Sequence, residues 1–311
     1  MAAYREGSPD ENAFREEVVR AGYLIESGVA GVYGRGQGFE EIRVGVDRAV
    51  TLAATVDGGE RLRFPPVIPR KQLEAIGYLK SFPHLAGTIF SFDGDEEAAL
   101  AQEQAADRGE DWSGYQEMTD LVLVPAACYP VYPAIAARGP LPAGGVVVDA
   151  GGSWVFRNEP AGDPARMQMF HQREMVRLGE PEAVADWREA WRDRAVALLR
   201  DLGLDADFAV ASDPFFGRAG RMLARNQRAA ELKFEILVPI AGEEPTAVAS
   251  FNYHQDHFSS IYDLRTSTGD VAHTACLGFG LERITLALLR KHGLDTEAWP
   301  DPVRGKLWGP A

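Results

Sequence analysis

The spacing of apolar residues predicts helices at both ends of the chain and in its middle. An N-terminal helix is expected to begin at Ser8, which can cap it, and Glu11 completes the capping-box pattern. Apolar residues three or four positions apart predict further helices over 39–56, 181–202 and 280–292. A glycine follows each of the last two, as is common at a helix end.

A different pattern begins near Leu121, where short apolar or alternating runs are separated by turn residues. Such runs predict strands of an antiparallel sheet. A further strand is expected over 61–64, and the acidic stretch 92–114 predicts a solvated helix or an insertion. The strands of the sheet are predicted over 121–127, 145–148, 153–156, 167–170, 234–240 and 246–251. The pattern therefore predicts a single α+β domain over residues 1–311.

Composition and charge narrow the class of protein. The chain has 311 residues, of which 46% are apolar, as in an ordinary globular protein. A formal net charge of −14 argues against broad, nonspecific binding to nucleic acid or to an anionic membrane. The sequence has no apolar run of about 18–20 residues and no N-terminal signal pattern. Two cysteines are too few for a secreted disulfide framework, so a cytoplasmic protein is expected.

Two segments carry residues suited to binding a nucleotide. In the first, Arg157 and Glu159 end an apolar run, a Gly- and Pro-containing turn follows, and the chain returns through Phe170. An arginine there can bind a phosphate, and an aromatic ring can stack on a base; surface Arg–Glu pairing explains the segment equally well. The second segment, 277–283, leads through glycines to Arg283 in the first turn of a helix. A helix N-terminus favours anions, so this cation indicates either a phosphate ligand or a tight strand–helix turn.

Together these segments resemble motifs two and three of the class II aminoacyl-tRNA synthetases, and especially their seryl branch. The return strand 169–174 is similar to that branch's Gln-Phe-x-Lys-x-Glu pattern. Cys128 stands where the branch has the glutamate of a Thr-x-Glu loop. With Glu174 and Cys276, it resembles the zinc site of the atypical seryl enzymes and of their relatives, the amino acid:[carrier protein] ligases. The likeness covers about residues 115–295 and implies an antiparallel sheet flanked by helices.

The resemblance also implies how the chain is organised. The helix and strand over 39–66 look like a weak motif one, which forms the dimer interface in this family, so residues 1–110 are expected to contribute to a homodimer. No tRNA-binding arm is expected before the core and no anticodon domain after it. The chain therefore looks most like a carrier-protein ligase, and a tRNA partner is not expected.

The chemistry of the three ligand residues agrees with a zinc ion. Thiolates are soft ligands, a carboxylate can be the third, and three protein ligands leave one tetrahedral position open. A deprotonated substrate amino group could occupy that position. The three residues are far apart in sequence, however, and spacing alone favours two unrelated buried thiols; it is the resemblance that favours zinc. The rival ligands are His171, His254, His257 and His273.

The resemblance implies residues that would bind ATP and Mg²⁺. Arg157 would hold the α-phosphate and Arg283 the γ-phosphate, which makes them the expected catalytic residues. The expected remainder of the nucleotide site is Glu159, Arg166, Met167, Phe170, Lys233, Ala247, Val248, Ala249 and Ser250. Ala247 departs from the family because a magnesium-binding glutamate is expected there, and Glu235 or Glu231 is the alternative ligand. Lys233 could instead be an exposed strand residue.

An acceptor-binding surface is expected in a helical insertion at about residues 180–230. Arg188, Arg192 and Arg200 lie on the polar face of its first helix. A second arginine stripe, at helical spacing, comprises Arg218, Arg221, Arg225 and Arg228. A basic face suits an acidic carrier protein and the phosphate of its prosthetic arm, although a solvated helix paired with nearby acids fits too.

The resemblance implies a reaction in two steps. A small amino acid, with glycine or alanine favoured, attacks ATP to give an aminoacyl adenylate and pyrophosphate. The aminoacyl group then passes to the phosphopantetheine thiol of a carrier protein. One alternative is a synthetase-like enzyme that charges tRNA or another acceptor. The other is a non-catalytic sensor of ATP or an amino acid.

Overall fold

The computed structural model describes residues 4–309. Its helices are α1 (Pro9–Arg20), α2 (Gln37–Ala54), α3 (Arg70–Ala75), α4 (Tyr78–Ser81), α5 (Glu96–Asp107), α6 (Val131–Ala136), α7 (Pro181–Asp201), α8 (Gly217–Ala229), α9 (His257–Tyr262), α10 (Leu281–His292) and α11 (Asp301–Trp308). Its strands are β1 (Leu24–Glu26), β2 (Tyr33–Arg35), β3 (Glu60–Arg61), β4 (Val67–Pro69), β5 (Thr88–Phe92), β6 (Gln116–Leu123), β7 (Val146–Phe156), β8 (Met169–Gly179), β9 (Asp207–Val210), β10 (Lys233–Val238), β11 (Thr246–Gln255) and β12 (His273–Gly280). Within this range, no helix has the length and apolar character needed to cross a bilayer.

A seven-stranded sheet forms the centre of the fold, with strand order β3-β7-β8-β12-β11-β10-β9. Its pairings are antiparallel except for the short parallel contact of β3 with β7. This arrangement confirms the predicted α+β class with an antiparallel sheet. The strand that enters α10 lies between β8 and β11, so the two motif-like segments are direct neighbours.

The two faces of the sheet are buried in different clusters. On β12, Leu277 and Phe279 pack in one cluster with α2, α7 and α10, whereas Cys276 belongs to a second cluster with α6 and α9. On β8, Met175 faces the first cluster and Val176 the second. Because successive strand residues point to opposite faces, Glu174 and Cys276 lie on the same face of adjacent strands.

Several predicted elements have different bounds in the structure. The predicted strands 145–148 and 153–156 are one strand, β7, which continues through a bulge at Ala150. The prediction of a main-sheet strand over 121–127 was wrong, because β6 begins earlier and pairs with β4 and β5 in a separate three-stranded sheet. The strand expected over 61–64 is shorter and begins one residue earlier, as β3 (Glu60–Arg61). The solvated helix predicted within 92–114 is α5, which Asp95 caps.

Only part of the range 180–230 is the helical insertion that the sequence predicted. Helix α7 packs on the main sheet through Trp191, which is fully buried, and β9 forms the edge of that sheet. Helix α8 is the part with largely exposed side chains. In the N-terminal part, the capping box at Ser8 and Glu11 is confirmed, and α2 packs against α10 and α11.

Candidate functional site

Three elements bring Cys128, Glu174 and Cys276 together. Glu174 and Cys276 come from β8 and β12, and Cys128 comes from the loop between β6 and α6. One ligand atom of each residue lies within 4.8 Å of the others, and all three residues are buried. The amide of Cys128 donates a hydrogen bond of 2.7 Å to Oε2 of Glu174. Both cysteines are free thiols.

The electrostatics of this cluster fit a divalent cation. Burial raises the pKa of the Cys128 thiol and of the Glu174 carboxyl. A hydrogen bond with Cys128, together with burial, raises the pKa of Cys276 well above its usual range. Three buried acids so close together cannot all ionise unless a positive charge compensates them, and a metal ion supplies that charge by displacing their protons. The donor set of two sulfurs and one carboxylate suits Zn²⁺.

Of the rival histidine ligands, His254 is the one that borders the cluster. Its Nε2 atom lies 3.5 Å from Sγ of Cys276, and its Nδ1 atom lies 3.1 Å from Oγ1 of Thr274. Burial lowers the pKa of His254 to about 3, so its ring is neutral at pH 7. His171 pairs with Glu282 at 2.7 Å, and His273 contacts Tyr253.

Most of the expected nucleotide-binding residues line the same cavity as the cluster. The cavity has a volume of about 1340 Å³, and its walls include Cys128, Glu174 and Cys276. The expected residues that line it are Arg157, Glu159, Arg166, Phe170, Lys233, Ala247, Val248, Ala249, Ser250 and Arg283. Met167 does not line it. Its apolar side chain is buried in the core cluster, where burial of a thioether is favourable.

Arg157 connects the part of the cavity wall that contains Phe170 with the loop that carries Cys128. Its Nε atom donates to the carbonyl oxygen of Pro125 at 3.1 Å, and its guanidinium lies 5.5 Å from the centre of the Phe170 ring. On the turn beyond, Glu159 and Arg166 approach each other to 4.0 Å. A cation, an aromatic face and a carboxylate therefore meet at one end of the cavity.

Arg283 has protein partners that already account for its position at a helix N-terminus. Its Nε and Nη1 atoms donate to the carbonyl oxygens of Ala165 and Ala247, both at 2.8 Å. Burial lowers the pKa of this guanidinium. These contacts join the motif-two-like turn to β11, so the arginine does not require a phosphate to explain it, although it borders the cavity.

Lys233 is buried, which excludes the exposed strand residue considered from the sequence. Its Nζ atom lies 2.7 Å from Asp213 and 2.9 Å from Glu235. Glu235 is therefore engaged by a cation, Glu231 does not line the cavity, and Ala247 offers no side-chain ligand. The Mg²⁺ site stays a prediction, and Glu235, which lines the cavity, is its expected carboxylate there. Sequence reasoning missed Asp213, for which no motif gave a signal.

The two arginine stripes differ in accessibility. Arg188 is buried, donates to the carbonyl oxygen of Glu231 at 2.8 Å, and lies over the Phe234 ring. It is therefore a structural residue and does not form the expected acceptor surface. The second stripe is exposed on α8, where Arg228 bonds to Ser212, and the same helix exposes Met222 and Leu223.

Comparisons with known proteins identify the fold and the family. No protein-family model matches the chain. The fold matches M. kandleri seryl-tRNA synthetase, solved in complex with A. aeolicus tRNASec, with a TM-score of 0.78 and 24% identity over 96% of this chain and 61% of that chain. The fold is thus that of a class II aminoacyl-tRNA synthetase catalytic domain.

Sequence relatives define the family within that class. The chain is 47% identical to amino acid–[acyl-carrier-protein] ligase 1 of Bradyrhizobium diazoefficiens, over 90% of this chain and 86% of that protein. It is 31% identical to the type-2 serine–tRNA ligase of Methanopyrus kandleri, over 60% of this chain and 37% of that protein. The chain belongs to the amino acid–[acyl-carrier-protein] ligase family, and it is a ligase.

Proposed function

We propose that this ligase activates a small amino acid, with glycine or alanine favoured, as an aminoacyl adenylate and transfers it to the phosphopantetheine thiol of a carrier protein. The observation that carries the proposal is the cluster of Cys128, Glu174 and Cys276 in the same cavity as Arg157 and Arg283. An amino-group site and a nucleotide site in one cavity allow the two substrates to meet. The names of the relatives, amino acid–[acyl-carrier-protein] ligases, agree with transfer to a carrier protein.

In this proposal Cys128, Glu174 and Cys276 hold Zn²⁺. When bound, the ion supplies a Lewis acid with an open position for the neutral amino group of the substrate. The burial of all three residues excludes bulk water from the ligands. The hydrogen bond from the Cys128 amide holds the Glu174 carboxylate in place, as groups beyond the ligands commonly do in metal sites.

The remaining residues act on ATP. The Phe170 ring stacks on adenine, and Glu159 accepts a hydrogen bond from its amino group. The Arg157 guanidinium stabilises the charge that develops at the α-phosphate while the substrate carboxylate attacks. Pyrophosphate leaves with the electrons of the broken P–O bond. We assign no step to a protein-held Mg²⁺, for which Glu235, in the cavity wall beside Lys233, is the expected carboxylate ligand.

The second step uses α8 in this proposal. Its exposed arginines attract an acidic carrier protein. The incoming thiolate attacks the carbonyl carbon of the aminoacyl adenylate, and AMP leaves with the electrons of the broken C–O bond, so no protein base is required. We also expect a homodimer through residues 1–110, because α2 exposes Val44 and Leu52 by 54% and 56%.

ATP–pyrophosphate exchange across the amino acids tests the first step. We expect exchange with glycine or alanine, and its absence with every amino acid would contradict the proposal. Transfer of labelled amino acid to a phosphopantetheinylated carrier, and not to tRNA, tests the second. Charging of tRNA would favour the synthetase-like alternative. Ala247 favours the sensor alternative, which predicts ATP binding without exchange.

A further inference from the structure

The segment before α1 pairs with the turn that carries the nucleotide-binding residues. Arg5 forms a parallel bridge with Ala161. The Arg5 amide donates to the carbonyl oxygen of Pro160 at 3.1 Å, and the Gly162 amide donates to the carbonyl oxygen of Arg5 at 2.9 Å. We call residues 4–11 the N-terminal strap and residues 159–166 the motif-two turn. The strap is therefore hydrogen-bonded to the main chain of this turn.

The strap and the turn approach each other more closely than side chains would allow. A Cβ atom on Gly162 would lie 2.8 Å from the Gly7 nitrogen and 2.9 Å from the Tyr4 hydroxyl. Across the contact, a Cβ atom on Gly7 would lie 3.2 Å from the carbonyl carbon of Gly162. Two glycines thus permit backbone-to-backbone packing at this point.

The strap is fixed at its other end to the core. Ser8 and Glu11 form the capping box of α1, and the amide of Ser8 donates to Glu11 at 2.7 Å. Glu11 is buried and accepts a hydrogen bond of 3.3 Å from Arg5. Glu11 also packs against Gly242, in the turn between β10 and β11. A Cβ atom on Gly242 would lie 3.0 Å from Oε1 of Glu11. The strap therefore connects α1 with both turns at this end of the cavity.

We propose that the N-terminal strap is a positioning element for the nucleotide, and that it holds the motif-two turn where Glu159 and Arg166 meet the base of ATP. The proposal rests on the proposed ATP-dependent function. Arg5, Ser8 and Glu11 line the same cavity as Glu159 and Arg166, so the strap forms a wall of the nucleotide end. The cluster of Cys128, Glu174 and Cys276 makes no hydrogen bond to it among the described residues.

The test disrupts the contact from each side. Arg5→Pro removes the amide that donates to Pro160. Gly162→Ala adds a Cβ atom that must displace the strap, and Gly162 has no positive φ that would strain alanine. The matched control is Gly114→Ala, because a Cβ atom there meets no neighbour within 4 Å. Pyrophosphate exchange is measured while ATP and the amino acid are varied separately.

We expect both variants to raise KM for ATP about tenfold, with kcat and KM for the amino acid within about twofold of wild type. The double variant should be no worse than the poorer single one, because both remove one contact. Equal losses for both substrates, or an unchanged KM for ATP, would overturn the proposal.

Hydrogen exchange of the substrate-free protein provides a readout that does not depend on activity. Both variants should exchange faster in residues 4–11 and also in residues 159–166. Faster exchange in the strap with an unchanged turn would refute the positioning role. If the wild-type protein shows no pyrophosphate exchange, the proposed function fails, while hydrogen exchange still decides whether the strap orders the turn.

Discussion

The amide of Cys128 donates a 2.7 Å hydrogen bond to Oε2 of Glu174 across 46 residues of sequence. This bond joins the loop after the three-stranded sheet to the second strand of the motif-two-like hairpin. It orients a buried carboxylate towards the two thiols of Cys128 and Cys276. The metal-site hypothesis depends on this arrangement.

Replacing Glu174 with glutamine tests the carboxylate as a ligand. Glu174→Gln keeps the size and an oxygen that can accept from the Cys128 amide, but it removes the charge. We expect zinc affinity to fall at least tenfold, with little change in Tm of the metal-free protein. Competition with a chelator measures the affinity. Glu60→Gln, on exposed β3, is the control and should bind zinc as wild type does; equal affinity in both variants would exclude Glu174 as a ligand.

Metal binding should release protons. Burial raises the pKa of Cys128, and a hydrogen bond with Cys128 and burial raise that of Cys276, so both thiols are protonated at pH 7 in the metal-free protein. Zinc must displace these protons, and its apparent affinity should therefore increase as the pH rises. Calorimetry in buffers with different ionisation enthalpies counts the protons released. An affinity independent of pH between about 6 and 8 would contradict thiolate ligation.

The ion pair of Asp213 and Lys233 should contribute to stability over a defined pH range. Burial is the largest single influence and would raise the pKa of Asp213, but the charge of Lys233 and the hydrogen bonds from Lys233 and Gln227 together bring that pKa below its usual value. Burial would likewise lower the pKa of Lys233, but Asp213 and Glu235 bring it above its usual value. The pair should therefore stabilise the fold fully between the unfolded values of about 4 and 10.

Asp213→Asn tests this contribution. We expect a loss of about 3 kcal/mol in the free energy of unfolding at pH 7, because one partner of a buried pair is removed. The difference from wild type should shrink as the pH falls below about 4, where Asp213 becomes protonated. Denaturant unfolding at several pH values measures it. A difference that stays constant down to pH about 2 would show that the charge of Asp213 is not responsible.

The exposed arginines of α8 should affect transfer and leave activation unchanged. The double variant Arg221→Glu/Arg225→Glu reverses two charges on the stripe. We expect kcat/KM for the carrier protein to fall at least tenfold, because attraction of an acidic partner becomes repulsion. Pyrophosphate exchange should not change. The double control Arg20→Glu/Lys71→Glu changes the net charge equally at exposed positions on α1 and α3; an equal loss in that variant would point to net charge instead of a local surface.

The sequence pattern predicted an element well where residues close together in sequence determine that element. The capping box at Ser8 and the periodic apolar face of α7 are such cases. The pattern could not show that residues 121–123 belong to another sheet, because strand pairing depends on residues far away in sequence. The sequence likewise suggested a phosphate as the reason for Arg283, whereas the carbonyl oxygens of Ala165 and Ala247 are its partners. Such long-range contacts leave no local signal.

Removal and return of metal give the most direct test of the account. ATP–pyrophosphate exchange with glycine or alanine is measured on the purified protein, on protein stripped by a chelator, and after an equimolar amount of Zn²⁺ is added back. We predict that exchange disappears on stripping and returns with zinc, and that Cys276→Ser abolishes the recovery. Full exchange in the stripped protein would contradict a metal centre formed by Cys128, Glu174 and Cys276.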